Sequence, residues 1–266
     1  MVAVPAGTFA MGSPADEPGR FDDEGPVHDV TIPRPFAVTR TPITVGQFAR
    51  FARATGFTPG GGCNVWNENG EWSLRTDRNW NDPGFVQGDD YPVVCVSWEE
   101  AKAYARWISE RSGYRYRLLA EPEFEYSARA GVAEPFPWGT VADRFCEFAN
   151  GFDQSALRGR TGWGTAACDD GYAYTAPVER FPANRFGLVG MTGNAFQWVE
   201  DCFVDGGYGN LPAKTAVRPD QGCKARVIRG GSWANSPRGL RLAMRDRDPQ
   251  SSRYANISIR LARDLQ

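Results

Sequence analysis

Apolar positions recur at helical spacing in three stretches of this chain. After Thr44, in "TVGQFARFARATG", Phe48, Phe51 and Ala52 fall on one face and Gly56 stands where a helix ends. From Ser97, "SWEEAKAYARWISERSG" carries a capping box through Glu100, a stripe of Ala101, Tyr104, Ala105 and Ile108, and a stop at Gly113. A third helix is predicted over 122–129, with Pro122 in its first turn. Elsewhere the apolar segments are short and strand-like: "VAVPAGTFAMG", "VHDVTIPRPFAVTRTPI", "RVIRGGSW" and "ISIRLAR". Between them lie residues 60–90 and 146–174, rich in Gly, Asp, Asn and Trp. Loops of that length are uncommon unless functional or tied down. No repeat, linker or low-complexity tail interrupts the pattern, so a single domain over 1–266 is predicted.

Composition narrows the function classes. With 266 residues, 41% hydrophobic and 23% charged, the chain can bury a core. A net charge of -2 argues against a nucleic-acid binder, which carries a basic excess. No run of 18 apolar residues is present, so no membrane span is expected. The opening "MVAVPAGTFAMGS" lacks a signal-peptide pattern. The 30 glycines, 19 prolines and 9 tryptophans suit a loop-rich fold with aromatic anchors. Positive charge is almost all arginine, with lysine only at Lys102, Lys214 and Lys224.

Six widely spaced cysteines, none in a CxxC pair, read as disulfides rather than a metal ribbon. Pairing neighbours gives Cys63–Cys95, Cys146–Cys168 and Cys202–Cys223, each worth roughly 3 kcal/mol in chain-entropy terms. The alternative is six buried thiols. Disulfides imply an oxidising compartment, the periplasm or outside, with a leader already removed.

Several chemistries lack their residues. His28 is the sole histidine, too few for a zinc or non-haem iron site, and no G-x-S-x-G elbow is present. No phosphate loop and no dinucleotide fingerprint occur, so no nucleotide cofactor is expected.

Five ordered motifs remain: "VPAGTFAMGS", "PVVCVSWEEAKAYARW", "YRLLAEPEFEYSARAG", "TAPVERFPANRFGLVGMTGNAFQWVED" and "RVIRGGSWANSPRGLRLAMR", the last followed by "ISIRLAR". Together they resemble the formylglycine-generating enzyme (sulfatase-modifying factor) family across essentially the whole chain. The resemblance implies an α+β, C-type-lectin-like fold: a twisted antiparallel sheet, a few helices and much irregular structure held by structural Ca2+. It implies a first calcium site at Asn150, the Gly151 carbonyl, Asp170 and the Tyr172 carbonyl, an oxygen set of the kind calcium takes. Read from the residues alone, "FANGFD" and "DDGYAY" are also two Asx turns. A second site is implied at Gly193, Ala195 and Gln197. Here Gln197 stands where the family has a glutamate, which weakens that site.

Family members that make formylglycine carry two copper-binding cysteines just after the GGS-aromatic motif, thiolates suited to Cu(I). This chain reads Ser232, Trp233, Ala234, Asn235, Ser236, Pro237, with Asn235 in the first cysteine's place and no cysteine after Cys223. No copper is therefore expected, nor conversion of sulfatase cysteines. In the same region stand Arg238, Arg241, Arg245, Arg247, Arg253 and Arg260. Some suit a pocket with Ser232, Trp233, Arg241 and Tyr254 for an anionic or planar ligand. The other reading makes them structural pins paired with Glu200, Asp201, Asp246 or Asp248.

Among cysteine-lacking relatives, the chain resembles periplasmic proteins that mature a pyoverdine-type siderophore chromophore. That resemblance implies oxidation of a reduced ring in a small-molecule or peptide-derived precursor, with oxygen as acceptor. Glu200 or Asp201 is then the expected base, near Asn235 and Arg238. The alternative is a non-catalytic ligand-binding protein of the retroelement-diversified type, with variable residues in "WANSPRG" and "RDRDPQSSRYANIS". A plainer alternative is an adhesive domain without pocket chemistry.

Overall fold

The computed structural model describes residues 1–67, 69–156, 166–209 and 223–265. Both ends of the chain enter one sheet. β1 (Val2–Val4) pairs with β4 (Phe36–Val38), β4 with β12 (Leu261–Asp264), and β12 with β7 (Tyr116–Leu118), all antiparallel. Val38 faces both Val2 and Ala262, and Leu261 faces Leu118. The second sheet runs β10 (Arg245–Asp248), β9 (Arg226–Arg229), β8 (Phe196–Cys202), β11 (Ile257–Ser258), with β8 and β11 parallel. Two smaller ribbons join β2 (Gly7–Met11) to β3 (His28–Ile32) and β5 (Cys63–Trp66) to β6 (Trp72–Arg75).

Successive strand side chains point to opposite faces, and this explains how the second sheet divides the core. Phe196, Trp198 and Ile228 enter one apolar cluster with Phe48, Val96, Tyr104 and Ile259. Val199 and Val227, their immediate neighbours, enter the other with Phe36, Phe124, Leu188 and Leu242. A sheet buried on both faces shows no apolar–polar alternation. The segment "GNAFQWVED" therefore reads as a motif in the sequence and as a strand only in the fold.

The helices form where their local signals place them. α1 (Val45–Thr55) starts at Thr44, whose Oγ1 accepts from Gln47 N while Gln47 returns a bond to Thr44 N. α2 (Trp98–Ser112) has the reciprocal Ser97–Glu100 box. Gly56 and Gly113 close them at φ 67° and 74°, the left-handed region where glycine is favoured. α3 (Glu121–Arg129) is almost wholly buried. Its Glu121 and Glu125 pair with Arg245 and Arg229, tying the helix to the second sheet. The long stretch 60–90 is not merely loop, because it contains the β5–β6 ribbon. Of the stretch 146–174, residues 157–165 lie outside the described residues.

Candidate functional site

The three disulfides are Cys63–Cys95, Cys146–Cys168 and Cys202–Cys223, the pairs of sequence neighbours, and they use all six cysteines. The first anchors the β5–β6 ribbon. Backbone bonds from Asn64 N to Arg253 O (2.8 Å) and from Ala255 N to Asn64 O (2.9 Å) stitch the ribbon to the segment before β11. The ribbon then forms one wall of a cavity of about 450 Å³. Trp66, Ser73, Arg75 and Arg78 line it from one side, Phe85 and Tyr174 from the other. Phe85 and Tyr174 stack at 4.4 Å and 9°. Trp233, fully buried, meets the edge of this stack, 5.0 Å from Tyr174, and donates through Nε1 to Ala255 O at 3.1 Å. Trp72 joins Trp66, Trp233 and Tyr254 at 5.1, 5.9 and 5.4 Å. Among the described residues lining the cavity, the charged ones are arginines, Arg75 paired with Asp77 and Arg78 with Asp82.

An aromatic cavity thus exists beside Trp233, but its cations come from the end of the ribbon and the segment just after it, not from the C-terminal arginines. Arg241 is a pin: it is buried against Glu24 and holds Glu17 at 2.8 Å. Arg245 takes Glu121, Arg253 takes Glu100, and Arg247 reaches Asp205 at 3.3 Å. Of the partners expected for these pins, Glu200 holds Lys102, Asp201 accepts from Glu121 N, Asp246 accepts from the backbone N of Arg247, and Asp248 takes the Tyr254 phenol. Arg238 is exposed. It donates to Gly19 O at 2.8 Å and lies over Phe21 at 3.9 Å.

The expected catalytic group is not assembled. Glu200 holds Lys102 Nζ at 2.5 Å, and Asp201 accepts from Glu121 N at 2.6 Å, capping α3. Asn235 is a turn lock: its Oδ1 accepts from Ser232 N (2.9 Å) and Ser232 Oγ (2.7 Å). Ser232 is fully buried and also accepts from Asn256 Nδ2. Tyr254 turns its phenol to Asp248, whose carboxyl is pushed up to about 7 by burial and by the neighbouring Asp246. His28 lies on β3 against Tyr208, 4.9 Å between ring centres.

The first expected cation site brings two of its side chains to neighbouring loops and leaves one oxygen without a partner. The Cys146–Cys168 bridge brings the Asn150 loop to the Asp170 loop, where Asp170 accepts from Gly151 N (3.0 Å) and Tyr172 N (2.8 Å). Asn150, 0% exposed, spends its Nδ2 on Tyr174 O at 2.7 Å and leaves Oδ1 buried without a partner. Burial, and then Asp153, push Asp170 up to about 7. An orphaned carbonyl oxygen, close in the chain to a backbone that binds a carboxylate with no ion pair among the described residues, is a donor set that fits a hard cation. This site also holds Tyr174, one wall of the cavity, in place.

The second expected set is not an oxygen cage. Gly193 O accepts from Ala195 N at 2.9 Å. Gln197 directs its amide nitrogen at Gly190 O (2.9 Å) and Ala195 O (3.5 Å), while its Oε1 accepts from Arg260. A donor hydrogen stands where a metal-ligating oxygen was expected.

The ribbon residues were missed in the sequence. Their signal was the turn in "NVWNENGEW", an Asn-Gly between two tryptophans that pair as Trp66 and Trp72.

The sulfatase-modifying factor enzyme 1-like domain family matches residues 1–265. The formylglycine-generating enzyme of Streptomyces coelicolor is 32% identical over 99% of this chain and 88% of its own length. The structure of PvdO from Pseudomonas aeruginosa is 36% identical with a TM-score of 0.81, covering 99% of this chain and 93% of that one. Treponema denticola variable protein 1, 17% identical at a TM-score of 0.72, shares the fold alone. Together with the sheets and helices described above, these matches show that the chain belongs to the sulfatase-modifying factor (formylglycine-generating-enzyme-like) family, with its C-type-lectin-like fold.

Proposed function

We propose that this protein is an oxidative maturation factor of the PvdO type and makes no formylglycine. The observation that carries the reading is the cysteine chemistry. All six cysteines are consumed in disulfides, and Asn235 locks a turn where a copper thiolate is expected in the formylglycine-makers. The identity to PvdO along nearly the whole chain supports the same reading.

The ligand sits in the cavity under the β5–β6 ribbon. Trp66 and the Phe85–Tyr174 stack grip a planar ring, and Arg75 and Arg78 hold an anionic group on it. The substrate is a small-molecule or peptide-borne siderophore precursor with a reduced ring. In the step, a C–H and an adjacent N–H become C=N, and dioxygen takes the two electrons and two protons to leave as hydrogen peroxide. The chain's own residues supply binding and orientation. Disulfides fit an oxidising compartment such as the periplasm, and no helix among the described residues is long and apolar enough to cross a membrane. Calcium at Asn150 and Asp170 would steady the Tyr174 wall.

A diversified binding surface needs its variable residues exposed. Trp233, Ala255 and Asn256 are buried and could not vary at a surface, whereas Arg238, Arg247, Pro249 and Ser251 of the same segments are exposed.

The test is mass spectrometry of secreted small molecules from a gene-deleted strain. It should show a precursor two hydrogens heavier than the product. Complementation with Arg78→Ala should restore less than about a tenth of the product. An unchanged secretome would remove the proposal.

A further inference from the structure

Gln197 in β8 and Arg260, just before β12, meet where the family resemblance puts a second calcium. Guanidinium nitrogens only donate, so the Gln197 atom 2.6 Å from Arg260 Nε is the oxygen. That contact fixes the amide orientation and leaves Nε2 facing Gly190 O and Ala195 O. The other guanidinium hydrogens reach Thr39 O (2.6 Å), Arg40 O (3.0 Å), Val189 O (2.5 Å) and Gly190 O (3.1 Å). A guanidinium has five N–H donors, and five oxygens surround this one. The residue is 0% exposed, with no ion pair to a carboxylate among the described residues. A guanidinium is not deprotonated in proteins, so the side chain is a cation.

We infer that the Gln197 amide nitrogen, held by Arg260 so that it faces the Gly190 and Ala195 carbonyls, closes the second calcium site, so the chain binds one calcium and not two. The inference rests on the first-site reading only for the count of one. A glutamate at 197 would keep the bond to Arg260. It would also place an oxygen where Nε2 now stands, beside the Gly190 and Ala195 carbonyls.

The experiment counts calcium on the full chain, stripped with chelator and reloaded, by native mass spectrometry. The parent should hold one ion, Asp170→Asn none, and Gln197→Glu two. Two ions on the parent would overturn the inference, as would a Gln197→Glu variant that gains no ion over the parent. A parent with no calcium, while Gln197→Glu gains one, would remove the first-site reading and leave the closed second site standing. If Asp170→Asn does not fold, a chelator titration of the parent gives the count alone. Arg260→Lys supplies three donors to five acceptors. It should lower the melting temperature by several degrees with the calcium count unchanged, whereas an unchanged melting temperature would argue against the caged cation.

Discussion

Two charged side chains near the C-terminal segment make opposite demands on stability. Arg241 is buried against Glu24 and Glu17. Replacing it by alanine leaves a buried carboxylate unpaired, which costs about 3–5 kcal/mol. Arg238→Ala, at an exposed position, should stay within about 1 kcal/mol. Urea titration of the two variants checks the contrast, and equal effects would contradict the pin assignment. Asp248 acts the other way. Its carboxyl ionises near 4 in an unfolded chain and near 7 here. Between about pH 4 and pH 7 the folded state keeps a proton that the unfolded state has shed, so stability falls as pH rises through that window. Asp248→Asn, keeping an acceptor for Tyr254, should gain on the order of 1–2 kcal/mol at pH 8, after allowing for partial solvent screening, and little at pH 4. A variant with the parent's full pH slope would show that Asp248 is not its source. The arginine positions were legible in the sequence, but their partners were not. Glu17 and Glu24 lie 224 and 217 residues from Arg241, and no local pattern encodes a pairing at that distance.

At the level of elements, what was legible is what is local. Both glycine-capped helices announce themselves by a side chain bonding three residues on, and both appear within a residue of the predicted ends. The β5–β6 ribbon was lost because its residues look like loop and its fixture is remote: a bond to Cys95 and backbone pairing with residues 253–255. Opening that bond by Cys63→Ser with Cys95→Ser should cost about 3–4 kcal/mol for a separation of 32 residues. It should weaken ligand binding to the cavity more than tenfold, read by quenching of tryptophan fluorescence. Binding unchanged in the folded variant would move the ligand site away from the ribbon. Chelation is expected to act through the neighbouring wall, since Asn150 holds Tyr174 directly. Calcium-free protein should melt at a lower temperature and bind ligand more weakly, with both effects reversed on re-addition. Insensitivity to chelator would remove calcium from that loop.

For the whole molecule, the order of motifs conveyed the family and the lectin-like architecture, whereas the division into two sheets did not emerge from periodicity. The second sheet carries apolar side chains on both faces, and its β11 joins in parallel from far along the chain. The first sheet has a consequence of its own. Residues 261–264 form the interior strand that separates β4 from β7. Until they arrive, Phe36–Val38 and Tyr116–Leu118 each present an unsatisfied edge, and no partial chain can shelter them. Closure of this sheet therefore waits on residues 261–264, however early the two strands they join have formed.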